Sequence, residues 1–164
     1  MTLTSQVGGL MARCDVPGVA MGLINDRAEE VLTAGIANIE TGQPLDAETI
    51  VQCGSVTKAI TATLAMHLAD ARTLDLDAPI RAYLPDFRLA DADVAARVTL
   101  RHLLTHTGGW RGDNLTDTGR GDDALAAYVA DCARLPQIAP LGEVWAYNNA
   151  GFCIAGRVVE AVTG

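Results

Sequence analysis

The chain contains one lysine, Lys58, which stands three residues after Ser55, one of only two serines. The other eleven of the twelve lysine and arginine positions are arginines. Arginine cannot replace lysine where a proton must leave, because the guanidinium stays protonated. The Ser-x-x-Lys pattern therefore indicates a serine nucleophile beside an amine that takes its proton.

Helical spacing would bring Ser55 and Lys58 together. Residues i and i+3 are neighbours on one helix face, and a helix that begins near Ser55 would place the hydroxyl at its positive end. No acidic residue flanks Lys58, since its neighbours are QCG at 52–54 and AIT at 59–61, which is consistent with a desolvated amine. The structural alternative is an N-cap serine followed by a solvated lysine, because short motifs of this kind occur often by chance.

Tyr147 and Asn149 form a second set of polar side chains, at the junction where the last helix is predicted to begin. A phenol there can relay protons between Ser55, Lys58 and a leaving group, and an amide can orient a substrate carbonyl. The alternative is that Tyr147 is a core aromatic residue with a satisfied hydroxyl and that Asn149 caps the helix. Taken alone, the two residues favour this alternative.

Metal chemistry is not expected from the remaining candidates. His102 and His106 have the i, i+4 spacing that zinc can use, but no glutamate lies between them and no third ligand is evident. Asp113, Asp117 and Asp122 do not fit the spacing of a calcium loop. We therefore predict neither a metal nor a cofactor.

The composition limits the architecture and the partners. The chain has 164 residues, of which 49% are hydrophobic and 20% charged, and this is typical of about one globular domain. A net charge of −8 makes nucleic acid an unsuitable partner. No apolar run is long enough to span a membrane, and no signal peptide is visible, so we predict a cytoplasmic location, or a periplasmic one if the start is misassigned. The four scattered cysteines are expected to be free and buried: Cys14, Cys53, Cys132 and Cys153.

The elements that would position these side chains change once, from strands to helices. Apolar runs at 18–24 and 30–36 surround a polar turn at 25–27 and predict a β-hairpin in a covered sheet, with 49–52 as a short third strand. From Ser55 onward the apolar spacing is helical. The predicted helices cover residues 55–72, 99–104, 122–134 and 149–162, and another short helix begins within 75–80.

Two further features concern the organisation of the chain. The Gly/Asp/Thr-rich segment 109–123 is long for a connection and is predicted to be a lid or a surface excursion. Residues 1–54 are predicted to form a sheet part and residues 55–164 a helical part of one incomplete domain. Two or three strands make a poor sheet by themselves, so the chain is expected to stop in mid-fold.

Together these motifs resemble the serine β-lactamase-like family, which includes class C β-lactamases, D-alanyl-D-alanine carboxypeptidases and β-lactamase-like carboxylesterases. The resemblance runs from about residue 16 to the end of the chain. The motifs that carry it are GSVTK at 54–58, LDLDAPI at 74–80, YLP at 83–85, VTLRHLLTHTGG at 98–109, YNN at 147–149 and GRVVEAVTG at 156–164.

The resemblance implies an α+β fold of the β-lactamase/transpeptidase type. This chain would supply the N-terminal half, with the hairpin of an antiparallel sheet and the helical region, while the C-terminal strands would be missing. It also implies that Ser55 is the acylated nucleophile, Lys58 its activating base and Tyr147 a second general acid/base, while Asn149 holds Lys58 and the substrate. The implied partners are a small ester, amide or β-lactam substrate and a complementary C-terminal half.

Two departures refine the expected function. YNN at 147–149 stands where the class A branch has Ser-Asp-Asn, which indicates the class C, peptidase or esterase branch. The family's third element, Lys/His-x-Gly on a late strand, is absent from the sequence. We predict a serine hydrolase that works through an acyl-enzyme, with an esterase favoured over a cell-wall peptidase and with low or no activity of this chain alone. The alternative is a truncated or non-catalytic fold that acts as a binding module or half-domain.

Overall fold

The computed structural model describes residues 3–26 and 28–164. The chain divides into two compact units, Met1–Gln52 and Cys53–Gly164. The first unit contains the sheet and the second contains only helices and loops. Within the described ranges, no helix is both long and apolar enough to cross a bilayer.

The first unit contains one helix and a small antiparallel sheet. Helix α1 covers Leu3–Cys14, and it is followed by β1 (Gly18–Asn25), β2 (Ala28–Asn38) and β3 (Gln43–Pro44) in the order β1-β2-β3. The predicted hairpin is confirmed, since β1 and β2 pair continuously from Gly18 with Gly35 to Asn25 with Ala28. Arg27, in the predicted turn, lies outside the described residues.

Two expectations for this unit are wrong, and one helix was not predicted. Residues 49–52 do not form the third strand, because Thr49 instead closes a turn with Asp46, donating its hydroxyl to Asp46 Oδ1 at 2.7 Å. The sheet is not covered in the described chain, since only Leu32 of the two long strands is buried. Helix α1 was not predicted, because Gly8 and Gly9 in its middle weaken the helical signal.

The second unit has a helix of 14 residues near its start, a helix of 15 residues at its end, and shorter helices between them. A 3₁₀ turn, Gly54–Val56, leads directly into α2, and two further 3₁₀ turns lie at Ile80–Ala82 and Cys132–Arg134. The α-helices are α2 (Thr57–Asp70), α3 (Ala92–Arg97), α4 (Leu100–Leu104), α5 (Ala124–Asp131) and α6 (Asn149–Thr163). Only α3 was unpredicted; it is six residues long and is fixed by its N-cap Asp91, whose side chain accepts the backbone N–H groups of Asp93 and Val94.

Helix α6 is the centre of the core. It packs against α2, α4 and α5, and its inward face buries Ile154, Ala155 and Val158 completely. Around it lie Leu100 and Leu103 of α4 and other apolar residues of the second unit. The same helix begins at Asn149, so the core fixes the position of a predicted site residue.

Helix α2 leaves most of its apolar face exposed. The spacing by four of Val56, Ile60, Leu64 and Leu68 marks one helical face, and Leu68 packs against the core. The other three are exposed, Ile60 by 62%. The spacing therefore identifies a helical face correctly, and nothing in the second unit covers most of it.

The segment 109–123 is irregular, as predicted, but it is pinned down rather than free to act as a lid. Asn114 is buried and donates to Asp131 Oδ2 at 2.9 Å, while Arg134 donates to Asn114 Oδ1 at 3.0 Å and to Thr116 Oγ1 at 2.7 Å. The Tyr128 hydroxyl donates to the backbone oxygen of Asn114 at 2.8 Å. These bonds attach the segment to α5 and the 3₁₀ turn that follows it.

The cysteines are free, as predicted, but they are not all buried. Cys132 is buried and Cys153 is half-buried, whereas Cys14 and Cys53 are exposed. Burial raises the pKa of the Cys132 thiol to about 12, so this side chain behaves as a small apolar residue of the core.

Candidate active site

Ser55 and Lys58 face each other at the start of α2. Gly54 has a φ of +53°, a conformation that glycine adopts without strain, and it opens the 3₁₀ turn that contains Ser55. One turn later Lys58 Nζ donates a hydrogen bond to Ser55 Oγ at 3.2 Å. The predicted contact between the hydroxyl and the amine is therefore present in the structure.

Tyr147 brings a second polar group to the same hydroxyl. Its phenol donates to Ser55 Oγ at 2.7 Å, across 92 positions of the sequence. Tyr147 is 45% exposed and is not part of the core, so the interpretation as a core aromatic residue is wrong. Ser55 thus receives hydrogen bonds from both an amine and a phenol.

Asn149 holds Lys58 from the opposite side. It is the first residue of α6, and its Oδ1 accepts a hydrogen bond from Lys58 Nζ at 2.7 Å. The helix cap is its neighbour Asn148, so the interpretation of Asn149 as a cap is wrong. The structure brings all four predicted site residues into one hydrogen-bonded cluster.

The cluster is more open than a desolvated amine requires. Ser55 is exposed and Lys58 is half-buried. Lys58 takes part in none of the ion pairs found within residues 3–26 and 28–164. The hydrogen bonds that Lys58 and Ser55 make with the Tyr147 phenol lower its pKa, the Lys58 bond contributing most. A phenol with a lowered pKa gives up its proton more readily than an ordinary tyrosine.

The His106 ring packs against the Tyr147 ring. Its Nδ1 accepts the backbone N–H of Asn148 at 3.0 Å, and its ring lies 4.6 Å from the Tyr147 ring and 5.8 Å from that of Trp145. Burial, and to a lesser extent the charge of Lys58, lower the His106 pKa, which favours the neutral ring that accepts this bond. His102 lies elsewhere, in the capping box of α4.

Asn148 is a functional position that the sequence did not reveal, because its partners come from distant segments. It is only 3% exposed, its Oδ1 accepts the N–H of Gly151 at 2.7 Å, and its Nδ2 donates to the Trp110 backbone oxygen at 3.1 Å. Its side chain therefore caps α6 and ties the start of this helix to the loop after α4.

Replacing Asn148 by alanine will destabilise the protein by about 2 kcal/mol, because a helix cap and a buried hydrogen bond are lost together. Urea unfolding followed by circular dichroism measures the change. Asn148→Ser is the matched control, since its hydroxyl can still accept from Gly151 as a helix cap while the donor to Trp110 is lost. Equal stability of Asn148→Ala and the parent chain would contradict this role.

Asp113 also belongs to the cluster. The sequence predicted no role for it, since it does not fit the spacing of a calcium loop. Its Oδ1 accepts a hydrogen bond from Asn149 Nδ2 at 2.9 Å. The only sequence signal for its position is the Gly112-Asp113 pair, since a glycine often marks a close approach of the backbone.

An antiparallel hairpin followed by a helical unit that carries a Ser-x-x-Lys helix and a Tyr-Asn-Asn turn defines the β-lactamase/transpeptidase fold. The chain belongs to the β-lactamase family, since the family model described as Beta-lactamase matches residues 3–164. The resemblance inferred from the motifs is thereby confirmed.

Relatives within this family carry different activities in their names. The chain is 44% identical over 149 residues to penicillin-binding protein 4 of Amycolatopsis lactamdurans, covering 91% of this chain and 39% of that protein. It is 36% identical over 145 residues to esterase EstB of Burkholderia gladioli, covering 79% and 36%. The octameric penicillin-binding protein homologue from Pyrococcus abyssi superimposes with a TM-score of 0.76 at 28% identity, covering 97% of this chain and 38% of that one. The chain therefore spans about two fifths of the length of these relatives.

Proposed function

We propose that this chain carries the nucleophile and proton-transfer groups of a serine hydrolase that forms an acyl-enzyme on Ser55. The observation that carries the proposal is the pair of hydrogen bonds on Ser55 Oγ, from Lys58 Nζ at 3.2 Å and from the Tyr147 hydroxyl at 2.7 Å. A hydroxyl with two groups that can exchange protons within hydrogen-bond distance is arranged for nucleophilic catalysis.

The proposed reaction has two halves. In the first, Ser55 Oγ bonds to the carbonyl carbon, its proton passes to the Lys58 amine, and the leaving oxygen or nitrogen takes a proton from the Tyr147 phenol. In the second, water bonds to the acyl carbon, its proton returns through this pair, and Ser55 leaves with its hydroxyl restored. Asn149 keeps the amine directed at Ser55 during both halves.

We propose an activated carbonyl, an ester or a strained β-lactam, as the preferred acyl donor, with unstrained amides as poorer ones. An esterase and a penicillin-binding protein both occur among the relatives, which supports a carbonyl substrate of this general class. The exposed Ser55 supports an activated donor, because an open site stabilises developing charge less than a dry one.

We also propose that a complementary C-terminal half completes the domain. The exposed apolar face formed by Val56, just before α2, and by Ile60 and Leu64 of α2 supports this partner, because a soluble helix normally buries such a face. The length of the relatives, of which this chain spans about two fifths, agrees with it.

The proposed function is tested by covalent labelling. We expect benzylpenicillin to add to the chain, the added mass to map to Ser55 in a peptide digest, and Ser55→Ala to abolish it. Ser5→Ala is the matched control, since it removes the only other serine and should leave labelling unchanged. No addition to a chain that is folded by circular dichroism would overturn the proposal and favour a non-catalytic binding module.

A further inference from the structure

The Asn149 amide is held in one orientation by two charged neighbours. Its Oδ1 accepts from Lys58 Nζ at 2.7 Å, and its Nδ2 donates to Asp113 Oδ1 at 2.9 Å. Rotating the amide by half a turn would direct its NH₂ group at the Lys58 donor and its oxygen at the Asp113 carboxylate. Neither pair could form a hydrogen bond, because two donors would meet at Lys58 and two acceptors at Asp113. Asp113 therefore belongs to the cluster around Ser55, where it orients the Asn149 amide that contacts Lys58.

The backbone builds this position for Asp113. The oxygen of Gly112 accepts the N–H of Ala150 at 2.9 Å, which pins the loop to the first turn of α6. A Cβ atom on Gly112 would lie 2.7 Å from both Asn148 Cα and the backbone oxygen of Tyr147, so only glycine allows this approach. The carboxylate that follows is thereby placed beside Asn149 by close packing of the main chain.

Asp113 forms no ion pair with the described residues. Asp113 is exposed, and the ion pairs found in the described parts of the chain use the carboxylates of Asp77, Asp93, Asp131 and Glu160 instead. Its Oδ2 accepts no hydrogen bond from residues 3–26 or 28–164, while its charge does reach the site, since it raises the Tyr147 pKa against the larger opposite effects of Lys58 and Ser55.

We propose that Asp113 forms a subsite for a cationic group, so that the site selects acyl donors that carry an ammonium a few bonds from the scissile carbonyl. This inference rests on the proposed function, because it names the substrate class of the same site. One amide group separates the carboxylate from Lys58, which itself contacts Ser55 at 3.2 Å, so a chain of hydrogen bonds through two side chains links the carboxylate to the nucleophile. The free oxygen of Asp113 would accept the hydrogen bonds of the ammonium.

Two other effects must be separated from this subsite. The net charge of −8 attracts any cation to the protein, but that attraction does not depend on one residue. Asp113 could also act only by orienting Asn149, without contact to a ligand. Asp113→Asn distinguishes these possibilities, since it keeps an oxygen that can accept from Asn149 Nδ2 and removes the charge.

The covalent test uses ampicillin and benzylpenicillin. They differ only by an ammonium on the α-carbon of the phenylacetyl side chain, a few bonds from the β-lactam carbonyl that Ser55 would attack. We expect the ratio of their labelling rates, ampicillin over benzylpenicillin, to fall about threefold in Asp113→Asn, the size of one exposed charge pair. The benzylpenicillin rate of the same variant is the reference, so any effect of Asn149 orientation on acylation cancels in the ratio. The difference between parent and variant should shrink in about 1 M salt. A ratio that Asp113→Asn leaves unchanged overturns the subsite while the proposed function stands.

A non-covalent test keeps the inference falsifiable if neither penicillin labels the chain, a result that would overturn the proposed function instead. Tyrosine labelled with ¹³C at Cζ gives signals for the three tyrosines, and Tyr147→Phe assigns the one of interest. Phenylglycinamide, a cation, should shift the Tyr147 signal at about threefold lower concentration than neutral phenylacetamide, and Asp113→Asn should remove this difference. Equal effects of the two amides on the parent chain overturn the subsite.

Discussion

Lys58→Arg will slow the acylation of Ser55 by about a thousandfold, although it keeps a positive charge at the same position. The guanidinium can still donate to Asn149 Oδ1, which now accepts from Lys58 Nζ at 2.7 Å. It cannot accept a proton from Ser55, because it stays protonated at any pH that the protein tolerates. The substitution therefore removes the base and leaves the charge.

Labelling by benzylpenicillin, followed over time by intact mass, measures this change. Lys58→Met is the matched variant, since it removes the base and the charge together. We expect both variants to be slow, with Lys58→Arg no better than tenfold faster than Lys58→Met. If Lys58→Arg instead reacts within threefold of the parent chain, the amine acts only as a charge and the assignment of the base to Lys58 is wrong.

Trp110→Ala will destabilise the protein by about 3–5 kcal/mol, the usual loss for a buried tryptophan. Trp110 is 1% exposed and is among the largest fully buried side chains of the second unit. Its ring packs so closely on Gly108 that a Cβ there would lie 2.3 Å from it. Its backbone oxygen accepts the Asn148 side chain at 3.1 Å, so the loss should also loosen the start of α6.

Trp145→Ala provides the internal comparison, because the sequence contains only two tryptophans and Trp145 is 67% exposed. We expect it to cost less than about 1 kcal/mol in urea unfolding followed by circular dichroism. Similar losses for the two variants would mean that burial of the Trp110 ring does not contribute to stability.

Four of the five residues of the cluster could be predicted from the sequence, because each of the four belongs to a short motif. Ser55 and Lys58 are one helical turn apart, and Tyr147 and Asn149 lie in one turn, so local spacing carries the information. Their joining across 92 positions was expected only from the family resemblance. It could not be derived from spacing, since spacing does not say which two segments meet.

The supporting residues were missed for the same reason. His106 and Asn148 meet across 42 positions, and Asp113 and Asn149 across 36, so their roles exist only after the chain has folded. The wrong strand at 49–52 has a local cause instead: Thr49-Ile50-Val51 has the β-branched composition of a strand, but the Asp46 and Thr49 side chains bond to each other and turn the backbone.

The helical face of α2 shows a third kind of limit. The spacing of Val56, Ile60 and Leu64 correctly predicted one face of a helix, but these three side chains are exposed. Periodicity reports which residues share a face, whereas burial depends on what lies opposite that face.

The solitary amine of Lys58, enclosed between Ser55 and Asn149, gives this protein a built-in spectroscopic probe. Reductive methylation with ¹³C-formaldehyde would mark only this side chain and the amino terminus, so a spectrum of the labelled chain contains two kinds of signal. Any compound that settles against Ser55 should move one of them, which turns a search for substrates into the observation of a single peak.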